Sequence, residues 1–493
     1  MSILRGAALI GLLGFAMPAL AQESHYEQLA NAPFPGGYPA KESVAPLENE
    51  LYFQLASQAY IWALPAINMW AMKEGSEKVF GAGYNVLPYW PKRLQAKTRV
   101  TTPNSDVIYA MSYLDLKKDG PLVVEVPKGV QGLFDDFWQR PIEGPKIDGH
   151  TWIGDVGFAG PDKGQGGTYV LLPPDYQGEV PKEGFVYRSR TYNVFLFWRS
   201  FFKNPDDLAG ANEIIRQTKV YPLGKKESAR PMQFPDANAA PADMLFPQDG
   251  RYFDLLSRFI DAEYADPADE YMRTTLKMIG IDKGKPFRPD PAMKTLLDQA
   301  AKTAFKMTRV MATEMTVQAP GFKYYPDRQW VDIFPGRDPF FLGNLLERTL
   351  YFTLAYSMSP GMAVSLVEKG AKYPGVFRDK DGDFLEGGKS YSLHLPPNIP
   401  AANFWSVTVY DALTGSGLDN GQPFPSLNQM DKPPQNADGS LDLYFGPTAP
   451  AGHEKNWLRT VPGKGYFILL RLYSPKQSFF DKTWKPDDVV KMK

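Results

Sequence analysis

Along the first third of the chain, apolar side chains recur near every 3.6 residues. Leu51, Leu55, Ala59 and Trp62 mark the stripe, predicting a helix from about Leu47 to Phe80 with Pro65 as a kink. From about Arg99 to Phe202 the pattern changes to short β-branched and aromatic runs bounded by Gly and Pro. PLVVEVP, GTYVLLPP and FVYRSRTYNVFLFWRSFF all read as strands. Helical signals then return. NPDDLAGANEIIRQ offers Asn204 as an N-cap with Pro205 at the first helical position, and the segments beginning at Asp290 and Asp338 repeat that cue. From about Tyr373 the chain reads as strands again, in KSYSLHL, FWSVTVYD, LDLYF and YFILLRLYSP, with a turn at Asn436 to Ser440.

These regimes predict an α+β, mainly β chain. Residues 22–46, rich in Pro and Gly, read as an extended arm, and 47–98 as an N-terminal helical segment. A β domain follows over 99–220, then a helical linker region over 221–337, and a C-terminal helix with a second β domain over 338–493. The strand spacing suggests a sandwich or barrel for the β domains.

Composition narrows the classes of function. A formal net charge of −1 over 493 residues argues against nucleic acid or an anionic membrane surface as partner. The opening MSILRGAALIGLLGFAMPALAQ has a positive residue, an apolar run and a small-residue site. It reads as a secretory leader over 1–21, cleaved after Ala21, which predicts a periplasmic or secreted protein. No later stretch reads as a membrane span. The absence of cysteine removes thiol nucleophiles and thiolate metal sites, and leaves the fold to its core alone.

Candidate chemistry is sparse. Asp379, Asp381 and Asp383 alternate in RDKDGD, as calcium ligands do, yet Gly382 and Ser390 fall out of step with a calcium-binding helix–loop–helix. A hairpin turn is the preferred reading, with a calcium site of another geometry as its alternative. RVTTPNSD packs Thr102, Asn104 and Asp106 before a strand, with Asp106 a candidate general base or metal ligand; a strand-capping turn explains the same residues. Asp135 and Asp136 are strand neighbours, so they cannot line one site together. Of four histidines, His150 follows a loop rich in Gly and Pro and is the catalytic candidate among them. In FWSVTVYD, Trp405 and Tyr410 suit either a stacking wall for a ligand or a β-domain core.

VTTPNSDVIYA, the Gly167-Thr168-Tyr169 strand, Arg199 and NPDDLAG resemble one family. So do FWSVTVYD, NADGSLDLYF, NWLRTVPGKGYFILLRLYSP and TWKP. It is the family that pairs an N-terminal domain of unknown function numbered 1254 with a C-terminal one numbered 1214. One stretch departs from it: where relatives carry an Arg-Tyr-Ser-like run, this chain has QPFPSLNQ, Gln422 to Gln429. The resemblance implies two β-sandwich, jelly-roll-like domains joined by helices, often self-associated. It also implies a metal-dependent hydrolase acting on phosphate esters or sugars.

Two functional readings follow. In the first, an exported hydrolase works on a small polar substrate in a cleft between the β domains. Asp106 and His150 are its catalytic candidates, Thr102 and Asn104 orient substrate, Arg199 and Arg471 place an anionic group, and Trp405 and Tyr410 form an apolar wall. In the second, a non-catalytic module binds carbohydrate or an envelope component.

Overall fold

A strand that is buried on both faces needs apolar or fully bonded side chains at every position, and such strands form the centre of this protein. The computed structural model describes residues 23–319 and 321–493; the expected leader lies outside them. Of the described residues, 23–53 form one compact unit and those from Gln54 to Lys493 a second.

In the first unit Ser24 caps a short helix, His25–Ala30, in a capping box with Glu27. The long helix Lys41–Phe80 begins six residues earlier than the apolar period predicts. The expected arm is therefore not continuously extended: residues 23–46 hold two helical pieces with a 3₁₀ turn between them. The long helix also runs on through Pro65, whose ring removes one backbone donor. The carbonyl freed four residues back, on Ile61, accepts instead from Arg348 Nη1 at 3.3 Å, and Arg348 Nη2 reaches the carbonyl of Trp62.

The N-terminal β region holds ten strands: β1 (Ile108–Asp115), β2 (Leu122–Val126), β3 (Val130–Asp136), β4 (Glu143–Ile147), β5 (His150–Ile153), β6 (Asp155–Gly157), β7 (Gly167–Leu172), β8 (Phe185–Arg188), β9 (Asn193–Ser200) and β10 (Lys219–Pro222). One sheet has the order β1-β9-β3-β6, the other β10-β2-β7-β8-β4-β5. Ile108, Phe134, Leu196 and Trp198 of the first sheet meet Leu122, Val124, Tyr169 and Leu171 of the second in a shared core.

The C-terminal region repeats the plan with β11 (Ala371–Lys372), β12 (Gly375–Val376), β13 (Tyr391–Leu395), β14 (Trp405–Asp411), β15 (Ser426–Asn428), β16 (Leu441–Gly446), β17 (Trp457–Arg459), β18 (Tyr466–Tyr473) and β19 (Val490–Lys491). Its sheets run β11-β18-β14-β15, with β12 also on β18, and β17-β16-β13-β19. Val407, Val409, Ile468 and Leu470 pack against Leu393, Leu441 and Leu443 in its core. The chain is α+β, mainly β: two sandwiches joined by helices, among them Arg251–Ala262, Glu270–Met278 and Pro291–Val310.

Asp290 caps the last of these as expected, accepting from the Met293 amide at 2.8 Å. The other two expected starts fail for a common reason. Asn204 and Asp338 use their side-chain oxygens on nearby amides, at Asp206 and at Phe340 and Leu342, and so build turns rather than caps. The helices begin later, at Ala209 and at Leu345, the second capped by Asn344.

Period-2 alternation decides what the inner sheets show each other. With Ile108 and Trp198 in the first core, Tyr109, Phe197 and Arg199 point out of the opposite face. With Ile468 and Leu470 in the second core, Leu469, Arg471 and Tyr473 likewise point outward. Between these two outward faces passes a strap, residues 355–363, irregular at first and ending in one helical turn, Pro360–Ala363.

Candidate functional site

Two arginines end in the layer between the inner sheets. Arg199 and Arg471 line one pocket with Thr102, Tyr109 and Phe197. The strap adds Ala355, Tyr356, Ser357 and Met362, and the C-terminal half adds Ile333, Tyr351, Tyr373, Leu469 and Tyr473. The enclosed cavity is small, about 40 Å³; counting the open solvent at its mouth the space is about 470 Å³.

Neither guanidinium has a carboxylate within ion-pair distance among the described residues. Arg199 lies over the Phe197 ring, 4.4 Å from its centre, with Met362 Sδ 3.7 Å from Nη2. Arg471 donates from Nη1 to Thr408 Oγ1 at 3.0 Å and from Nη2 to the carbonyls of Thr102 and Pro103, at 3.2 and 3.4 Å. A guanidinium carries five N–H donors and stays protonated in proteins, so both keep positive charge and donor capacity for the pocket.

The phenols around them are neutral donors. Burial raises Tyr351, Tyr356 and Tyr473 well above the ordinary phenol value and pushes Tyr410 up to about 12, the charge of Arg471 opposing it there. Tyr356 Oη and Ser357 Oγ are buried without a hydrogen-bond partner. Two pocket residues also sit at positive φ, Thr102 at 32° and Ser357 at 57°. A β-branched residue there is a genuine outlier, of the kind that gathers at ligand sites.

The strap is tied on both sides. Ser357 N–H donates to Gln139 Oε1 at 2.6 Å, Met358 N–H to Asp135 Oδ2 at 2.8 Å and Gly361 N–H to Asp155 Oδ2 at 2.8 Å. From the other sandwich, Lys372 Nζ donates to the carbonyls of Met362 and Ala363 at 3.0 and 2.8 Å. Burial lowers the Lys372 ammonium to about 7. Burial likewise raises Asp135 well above the carboxylate range and Asp155 to about 6, while strap donors and the Arg199 charge pull both down.

Of the residues singled out in the sequence, Thr102, Arg199 and Arg471 come together in the pocket. Asn104 stands beside it, its Nδ2 bonded to Tyr473 Oη. Tyr410 is fully buried behind Arg471, its ring centre 5.4 Å from the guanidinium and its hydroxyl donating to the Pro103 carbonyl at 2.6 Å. Trp405 packs in the C-terminal core and does not line the pocket. Asp106 is also buried, and its carboxylate accepts from Asn428 Nδ2 at 2.7 Å, from Ser426 Oγ at 3.1 and 3.2 Å, and from Arg93 Nη2 at 3.3 Å. His150 is exposed at the start of β5, edge-on to Trp152. Asp135 and Asp136 diverge as expected, one to the strap and the other to Arg140.

Asp379, Asp381 and Asp383 do not converge. Asp379 is buried and its Oδ1 accepts the amides of Asp381 and Asp383, both at 3.0 Å, closing the turn around Gly382 at φ 91°. The other two side chains are exposed. Among the described residues no three His, Asp or Glu side chains gather as a metal ion would require.

Sequence reasoning missed Tyr109, Tyr356, Ser357, Met362, Tyr373 and Tyr473. The available signal was an arginine inside an otherwise apolar strand, with an aromatic two residues away on the same face: Phe197 with Arg199, and Arg471 with Tyr473.

Residues 84–222 match the family described as "Protein of unknown function (DUF1254)" and residues 370–477 the one described as "Protein of unknown function (DUF1214)". No curated protein matches. Among solved structures, the VPA0106 protein from Vibrio parahaemolyticus shares the fold with a TM-score of 0.50 at 19% identity, over 90% of this chain and 100% of that one. An uncharacterized protein from Burkholderia cenocepacia aligns at 15% identity with a TM-score of 0.37, over 95% of this chain and 93% of that one.

Two outcomes follow from these contacts. Asp106→Ala removes the nearer of the two carboxylates beside the buried Arg93, with Asp431 remaining at 3.9 Å, and takes the acceptor from Ser426 and Asn428; it should lower the free energy of unfolding by about 1–3 kcal/mol in denaturant titration, against a smaller loss for Asp106→Asn. Asp155 holds its proton to about pH 6 when folded but only to its ordinary 3.8 when unfolded. The folded state binds the extra proton between those values, so stability is lost as pH rises from about 4 to 6, by about 3 kcal/mol at most. A pH–stability profile of Asp155→Asn should lack that step.

Proposed function

The chain belongs to the family that joins a DUF1254 domain to a DUF1214 domain, and on that footing we propose that it binds a small anionic molecule in the pocket between its two β-sandwiches. The observation that carries this reading is the pair of arginines, Arg199 and Arg471, lining one pocket without carboxylate partners. A buried cation is costly unless an opposite charge or good acceptors attend it, and a bound anion supplies both. The unpartnered Tyr356 and Ser357 hydroxyls and the strained backbone of Thr102 and Ser357 add support in the same place.

The hydrolase reading asks for a base near the same pocket. Asp106 already accepts from three side chains, and His150 sits on an exposed hairpin strand, so the contacts favour binding over turnover. Tyrosines and arginines at the pocket suit an anionic group better than a neutral sugar.

Export is part of the same proposal, with cleavage after Ala21 and release into the periplasm or the medium. Self-association belongs to it as well. No helix among the described residues is long and apolar enough to cross a membrane. The mass of the protein recovered from that compartment should correspond to a chain starting at Gln22.

Binding itself is read by titrating the purified protein with a panel of small carboxylates, phosphates and sulfate, following heat or the thermal midpoint. At least one anion should saturate. Arg199→Gln and Arg471→Gln should each weaken it about 10- to 100-fold, the worth of one charge-assisted contact. No saturable binder across the panel, or affinities indifferent to both substitutions, would sink the proposal.

A further inference from the structure

We infer that the C-terminal sandwich carries a second ligand site, open to solvent, for a small organic molecule bearing two negative charges. The site is separate from the inner pocket and does not depend on the anion-binding reading of that pocket.

A cavity of about 390 Å³, about 820 Å³ with the open solvent at its mouth counted, lies between the loop 321–337, the stretch that follows the strap and the short helix Gln477–Phe480. Ligand pockets generally fall between about 300 and 1,000 Å³, so there is room here for a whole small molecule. The loop is fixed in place. Val331 pairs with Gly375 of β12 through bonds of 2.7 and 3.0 Å, and the amides of Tyr324 and Asp332 reach the carbonyls of Trp330 and Phe322. Tyr324 also lies flat on Phe479, with ring centres 4.7 Å apart and planes at 9°.

Charge names the ligand. Among the lining residues Lys323, Arg337 and Lys482 are cations, and Asp332 is the single acid. Asp332 is taken by Arg337, 2.8 Å from Nη2, while Arg337 Nη1 donates to the Phe334 carbonyl at 3.0 Å. Neither lysine has a carboxylate within ion-pair distance among the described residues. Lys482 Nζ instead stands over the Tyr324 ring, 4.9 Å from its centre. Asp481, next to Lys482 in the chain, lies outside the lining and accepts from the amide and hydroxyl of Thr483. Three cations against one carboxylate leave two positive charges unmatched. Coulomb attraction scales with the charge of the ligand, so a dianion gains about twice what a monoanion does. An ammonium is a point charge with three rotatable donors and serves carboxylate and phosphate oxygens alike. The ligand is therefore defined by its two charges, whichever group carries them.

The backbone singles out the same residues. Two of the three cations are held in the left-handed region, Arg337 at φ 56° and Lys482 at φ 62°. That region is uncommon outside glycine, and such strain gathers at ligand clamps. Loop closure alone is met with least strain by glycine, as at Gly321 on the same cavity, at φ 87°. Carbon surface completes the walls. Pro335, the half-buried Phe480 and Val367, which is 45% exposed, all line the cavity and would be covered by the body of an organic ligand.

The experiment is calorimetric titration of the purified protein at pH 8 and low ionic strength with phenyl phosphate, phthalate, benzoate and inorganic phosphate. The tighter aromatic dianion is then repeated on Lys323→Gln, Lys482→Gln and Arg199→Gln. Both lysines are exposed and outside ion pairs, so their substitution leaves the fold intact. At least one of phenyl phosphate and phthalate should bind saturably, and which one does separates a phosphate ester from a dicarboxylate. Each lysine substitution should weaken it about 3- to 10-fold and Arg199→Gln should leave it unchanged. Benzoate and inorganic phosphate should bind at least threefold more weakly. Benzoate as tight as the dianions would overturn the double charge, and inorganic phosphate as tight would overturn the organic body. Binding lost in Arg199→Gln but indifferent to both lysines would put the ligand in the inner pocket, ending the second site and leaving the function proposed above standing. No saturable binding by either aromatic dianion would also end it.

Discussion

The mutual placement of the two sandwiches depends on one carboxylate. Asp106, at the end of the loop that leads into β1, is almost wholly buried and takes hydrogen bonds from Ser426 and Asn428 on β15 as well as from Arg93 on its own side. The loop Thr101–Asp106 is thereby laid across a sheet of the other sandwich. Once there, it is held at each step: Thr102 N–H reaches the Gly415 carbonyl, Pro103 accepts from Tyr410 and Arg471, and Asn104 bonds Tyr473. The pocket exists because this loop brings the outward face of β1 and β9 opposite that of β14 and β18. A group expected to be a general base is in this structure a joint.

Charge is distributed unevenly across the layer, and the unevenness makes the site. Asp106 accepts from three side-chain donors, while Arg199 and Arg471 have no carboxylate within ion-pair distance among the described residues. Asp135 and Asp155 are near Arg199 but direct one oxygen each to strap amides. The strap is thus fastened by acids on one sandwich and by Lys372 on the other, and it screens the acids from forming a direct pair with the arginine. Had Asp135 or Asp155 closed that pair, the guanidinium would be saturated and the pocket inert toward anions.

Much of the fold was legible because strands and the central helices announce themselves by period and by turn residues. FWSVTVYD and YFILLRLY fall on β14 and β18, and Asp290 caps its helix. The helix starts at Asn204 and Asp338 were not legible, since Asn and Asp serve turns and caps by the same hydrogen bond, and only the following backbone decides between them. Gly343 at φ 85° and Phe341 at φ 55° delay the second start to Leu345. The helix through Pro65 survives because Arg348, 283 residues later, covers the exposed carbonyl, a partner that no local pattern can show. The site was half visible for a similar reason. Arg199 and Arg471 interrupt apolar strands and so draw notice, whereas Tyr356, Ser357 and Met362 lie on a short strap placed largely by side chains far away in sequence, Gln139, Asp135 and Asp155 among them.

Local rules are broken here in one place more than elsewhere, and that concentration is itself informative. A β-branched residue at positive φ, a serine in the left-handed region, two unpartnered hydroxyls and two guanidinium groups without counter-ions all border the same pocket. Each feature alone has a bland origin in loop closure or packing. Together they describe a polar surface organised before any ligand arrives, held by the Asp106 joint below and the strap above. A pocket assembled only to fill space would have apolar side chains at positions 199 and 471, since the neighbouring strand positions already carry them, and would be more stable for it. That cost, carried by Arg199 and Arg471, is the physical ground of the proposal that they bind an anion.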